Sequence, residues 1–75
     1  MNKERRAVIA EAIASMESAK EALEQAREEE QEYFNNMPES FQSGDKGQVA
    51  EEAIQNLDEA VQALEEAINN AGSVE

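Results

Sequence analysis

Three aromatic residues, Tyr33, Phe34 and Phe41, offer faces on which a flat ring can stack, and Asn35, Asn36 and Gln42 offer amides able to read a base edge or a ribose. The thioether of Met37 joins the aromatic cluster. Gly44 and Gly47 bracket the expected start of a helix, where free backbone N–H groups and the helix dipole favour an anion such as phosphate. Lys46 and Arg27 are the nearby cations. Residues 33–47 hold every aromatic of the chain, its only proline and two of its three glycines. Two uses fit this concentration. The window either plugs the end of a helical bundle or forms a pocket for something flat and anionic.

The helices that must carry this window are legible on both sides of it. With Ile9 as position a of a heptad, Met16, Leu23, Glu30 and Met37 follow at a, and Ala12, Ala19, Ala26 and Tyr33 occupy d. Ile13, Lys20, Arg27 and Phe34 stand at e. The second half repeats the scheme with Ala50, Leu57, Leu64 and Ala71 at a, Ala53, Ala60 and Ala67 at d, and Ile54, Val61 and Ile68 at e. The halves align by a shift of 41 residues, which shared helical composition is enough to explain. The spacing predicts one domain over 1–75: a helix over about 3–36, a tip over 37–44 and a helix over about 45–71.

Asn36 and Pro38 are expected to end the first helix, and Pro38 to open a short turn over 38–41. Asp45 is expected to cap the second, with Gln48 completing a capping box, and Gly72 to end it. Alanine at d predicts a close approach of two antiparallel helices, with the e-position Ile and Val left for another subunit. The longer first helix would overhang, placing Lys3, Arg5 and Arg6 near the acidic C-terminal end. The expected fold is therefore all-α: an antiparallel two-helix hairpin assembling into a four-helix bundle or a higher oligomer.

Composition narrows the chemistry. The chain has no cysteine and no histidine, so thiolate and imidazole chemistry are absent and with them the commonest metal ligands; no cofactor is expected. A nucleophile would have to be Ser40 or Ser43 without a visible base, so an enzyme is not expected. Thirteen of the apolar residues are alanine, which bury little area, and self-association is the expected remedy. A net charge of −12 argues against direct binding of nucleic acid or an anionic membrane. With no membrane-length apolar run and no signal-peptide core after Arg6, the expected location is cytoplasmic. The run Glu28-Glu29-Glu30-Gln31-Glu32 reads as a solvated face. Glu30, at a core position, calls either for a partner such as Arg27 or Lys46 or for a bundle already open to water at that level.

The stretch Glu28-Glu29-Glu30-Gln31-Glu32-Tyr33-Phe34-Asn35-Asn36-Met37-Pro38-Glu39-Ser40, followed by Gln42, Gly44, Gly47 and Glu51-Glu52-Ala53-Ile54, resembles a family of short phage and prophage helical proteins with an Asn-Met-Pro-Glu tip. The specific part covers 36–42. The resemblance implies a small phage protein acting in the cytoplasm of a bacterial host. Such proteins include oligomeric sponges that bind nucleotide second messengers of bacterial immunity, and acidic inhibitors that mimic DNA. The expectation is a non-enzymatic sponge for a cyclic nucleotide or a cyclic ADP-ribose-like signal, held by the tip residues named above. The alternative is an acidic helical protein that binds and inhibits a host protein as a DNA mimic or adaptor, without a small ligand.

Overall fold

The computed structural model describes residues 1–74, and its elements are all helical: α1 (Lys3–Asn35), α2 (Glu39–Gln42) and α3 (Asp45–Gly72). It is a rod of 58 × 14 × 12 Å in which α1 and α3 pack side by side. Lys20 Nζ lies 3.4 Å from Glu65 and Arg27 Nε 2.7 Å from Asp58, so numbering rises along α1 as it falls along α3. The two helices run in opposite directions.

Each helix end has an identifiable cause. The Asn2 side chain accepts a hydrogen bond from the Arg5 amide at 2.8 Å, starting α1. At the other end the Asn36 amide donates to the Glu32 oxygen at 3.0 Å, and Asn36 keeps a right-handed conformation, with φ −87°. No left-handed cap is used there. Pro38, in extended geometry, then opens α2, and its carbonyl oxygen accepts from the amides of Phe41 and Gln42. The expected turn at 38–41 is thus a full helical turn. Gly44, not Asp45, is the cap residue of α3, and no side chain caps it. Asp45 is the first helical residue instead, where its carboxylate faces the positive end of the dipole. Gly72 is the last residue of α3.

The seam between α1 and α3 departs from the alanine-to-alanine contact expected at d. On α1 the half-buried residues are those at a and e, Ile9, Ile13, Met16, Lys20, Leu23, Arg27, Glu30 and Phe34, together with Gln31, and Met37 just beyond the helix is half-buried too. Ala12, Ala19, Ala26 and Tyr33, at d, are exposed. On α3 all three registers take part, with Ala50 and Ile54 buried and Ala53, Leu57, Ala60, Val61, Leu64, Ala67, Ile68 and Ala71 half-buried. The e-position Ile and Val are therefore already engaged within the chain. Area explains the choice: turning Ile13 and Phe34 inward removes more apolar surface from water than turning Ala12 and Ala26 inward. Lys20 and Arg27 fit the same rotation by laying their stems along α3 and reaching its carboxylates. At the open end Arg6, Ile9, Ile13, Ala71 and Val74 line a small cleft, which puts Arg6 beside the C-terminal end.

Candidate functional site at the tip of the helix pair

Adjacent residues of α1 point about 100° apart around its axis, and this divides the tip in two. Tyr33 lies on the side of α3 that carries Lys46 and Val49, whereas Phe34 lies on the side that carries Glu51, the side of the two ion pairs. The aromatic residues therefore do not form one cluster.

On the first side Tyr33, Asn36, Met37, Pro38, Phe41 and Lys46 line a cleft of about 330 Å³. A second hollow of about 260 Å³ continues it along the helices, lined by Glu30, Tyr33, Asp45, Lys46, Val49 and Ala50. Tyr33 and Phe41 stay 53% and 51% exposed, so neither ring is used up in covering the end of the helix pair. The Lys46 ammonium sits 5.7 Å from the centre of the Phe41 ring, within cation–π range. The cleft thus offers two aromatic surfaces, an amide at Asn36 and a cation.

The remaining expected site residues are employed elsewhere. The Gln42 amide nitrogen donates to the backbone oxygens of Phe34 at 3.0 Å and Asn35 at 3.4 Å, the Phe34 oxygen also accepting from the Met37 amide at 3.1 Å, so Gln42 helps to close the end of α1. Asn35 accepts a hydrogen bond from Gln31. Arg27 is held by Asp58 on the far side of the seam. Gly47 is buried against α2, and a Cβ there would collide with the Gln42 backbone. The Gly44 amide donates to the Phe41 oxygen at 3.1 Å, while its own oxygen accepts from Gln48. The two glycines let α2 and the start of α3 pack closely. Phe34, with Gln42, Glu39, Ser40, Ser43 and Glu51, lines a wide hollow of about 620 Å³ on the acidic side.

Electrostatics limit what the Tyr33 side can hold. Lys46 is the cation there, and Glu30 and Asp45 share its hollow. Glu30 is half-buried and opens onto this hollow, consistent with a helix pair that has opened to water at its level. One ammonium beside two carboxylates suits a ligand with a single localised negative charge better than a polyphosphate. Sequence reasoning missed Glu30, Pro38, Asp45, Val49 and Ala50 as lining residues. Val49 immediately precedes the core position Ala50, and that signal could have placed it on the rim. Among the described residues no group of acidic side chains is arranged to hold a metal ion, and no helix is long and apolar enough to cross a membrane. Comparison with known protein families, curated proteins and solved structures finds no match to this chain.

Proposed function

We propose that the chain is a non-enzymatic binding protein of phage type that sequesters a small nucleotide-derived signal and so blunts a host defence. The observation that carries this reading is the cleft of Tyr33, Asn36, Met37, Phe41 and Lys46, whose two rings are half exposed with a cation beside them. A base would stack on Tyr33 or Phe41, Asn36 would hydrogen-bond its edge, and Lys46 would meet one phosphodiester charge. The charge balance favours cyclic nucleotides, including cyclic ADP-ribose-like compounds with few charges, over linear triphosphates. The helix pair is read as an antiparallel hairpin that self-associates into a four-helix bundle, because Ala50 and Ile54 are the only buried hydrophobic residues among those described. Titration calorimetry with cyclic mononucleotides, cyclic dinucleotides and cyclic ADP-ribose derivatives tests the proposal. Heat that disappears with Tyr33→Ala supports it; no heat with any of them overturns it.

A second reading has its own observation. The ion-pair side carries Glu17 and Glu24 on α1 and Glu51, Asp58 and Glu65 on α3, an acidic surface suited to a basic protein partner. In that case Glu→Lys changes on this surface abolish activity and Tyr33→Ala leaves it intact.

A further inference from the structure

The side of the rod that carries Tyr33 is an unpartnered face made by both helices. On α1 the exposed positions Val8, Ala12, Ser15, Ala19, Ala22 and Ala26 run along it in steps of three and four. On α3 the exposed Val49, Asn56 and Ala63 alternate with half-buried Ala53, Ala60 and Ala67. Val8 and Val49 are 65% and 66% exposed, the one near the open end of the rod and the other near the tip. Between Val8 and Ala26 on α1, and between Val49 and Ala67 on α3, none of these positions is charged, although the chain carries 18 acidic residues. The opposite side carries Glu51, Asp58 and Glu65, and on the Tyr33 side Glu30 and Asp45 come in only at the tip. Since Tyr33 and Val49 line one hollow while Arg27 and Asp58 meet on the other side, both uncharged stripes face the same way.

Area points to an occupant of similar size. A compact monomer of 8.3 kDa exposes roughly 4,600 Å² by size scaling, and this chain exposes 5685 Å². The face, about 40 Å long and two helices wide, offers on the order of 800 Å², the amount each partner buries in a standard-size interface.

Charge decides the orientation. Lys3, Arg5 and Arg6, half of the basic residues, sit at the open end, while Glu28, Glu29, Glu30, Glu32, Glu39 and Asp45 crowd the tip. Two copies stacked tip to tip would bring the acidic ends together. Turned end for end, each basic end meets an acidic tip.

We propose that this face binds a second copy of the chain head to tail, α1 against α1 along its length and α3 against α3 over its C-terminal half. The arrangement sets Val8 of the second copy near Tyr33 and brings its Arg5 to the level of Asn36. The second copy thereby closes the tip cleft and adds a cation to it. This inference rests on the proposed self-association and is independent of the ligand.

The test uses the full chain, which has no native cysteine to confuse labelling. Sedimentation equilibrium gives the mass, and a nitroxide on Ser40→Cys, on the side away from the face, gives the separation of the two tips. A dimer with label separations of about 50 Å is expected from the helical rise. Ala19→Glu, at an exposed position, should raise the dissociation constant about tenfold or more with helicity retained. A wild-type monomer at micromolar concentration overturns both self-association and this inference. A dimer with tips within roughly 25 Å, too short for rods 58 Å long lying end for end, overturns the head-to-tail arrangement alone. An Ala19→Glu protein that dimerises as well as wild type overturns the assignment of the face.

Discussion

The side-chain amide of Gln42 donates a hydrogen bond to the backbone oxygen of Phe34 at 3.0 Å, so the turn after α1 closes the helix that precedes it. This contact turns a residue suited to reading a base into part of the scaffold. Gln42→Ala should lower stability by about 1 kcal/mol, the net worth of one such hydrogen bond. Thermal denaturation followed by circular dichroism measures it. An unchanged midpoint would mean that the Met37 amide and water satisfy the Phe34 carbonyl equally well.

Gly47 makes a sharper prediction. A methyl group there meets the Gln42 backbone rather than a flexible side chain, so α2 must move as a unit. Gly47→Ala should cost about 1–3 kcal/mol, in the range of overpacked sites, despite alanine's better helix propensity. Stabilisation by this substitution would show that α2 does not rest on α3 in solution.

The Arg27–Asp58 pair is partly exposed, with side-chain exposures of 35% and 48%, and such pairs contribute little in water. Arg27→Gln should therefore change stability by less than about 1 kcal/mol, and the difference should shrink at high salt. Because Arg27 lies on the side away from Tyr33, the same substitution should leave nucleotide affinity unaltered. A large loss of affinity would return Arg27 to the binding site.

Within the tip, Tyr33 and Phe34 should behave oppositely. Tyr33→Ala should weaken nucleotide binding by about tenfold or more, since stacking on one aromatic ring contributes roughly 1–3 kcal/mol. Its effect on stability should be small, because the ring is half exposed. Phe34→Ala should instead lower the unfolding midpoint through lost packing against α3 and α2, with the cleft intact. Lys46→Gln should weaken an anionic ligand and leave a neutral aromatic one largely unaffected.

Much of the fold follows from the spacing of residues. The period of Ile9, Met16 and Leu23, and of Leu57 and Leu64, specifies two long helices, and Pro38 with the neighbouring glycines marks the break between them. The rotation of α1 about its axis was not legible. An a/d stripe of alanine and an a/e stripe of Ile13 and Phe34 differ by only about 50° of rotation, and the sequence periods are the same. The partner helix decides between them through buried area and the reach of Lys20 and Arg27. The same rotation splits the tip. Residues close together in sequence, such as Tyr33, Phe34 and Gln42, separate across the rod according to which way each turn of helix faces, and neighbouring positions alone do not disclose that.

The most direct measurement is an amide proton–nitrogen correlation spectrum of the labelled chain, titrated with a cyclic mononucleotide. Saturable shifts centred on Tyr33, Asn36, Phe41 and Lys46, absent in Tyr33→Ala, are the predicted result. Shifts confined to the acidic side around Glu51, Asp58 and Glu65, or none with any cyclic nucleotide, would contradict the proposed site.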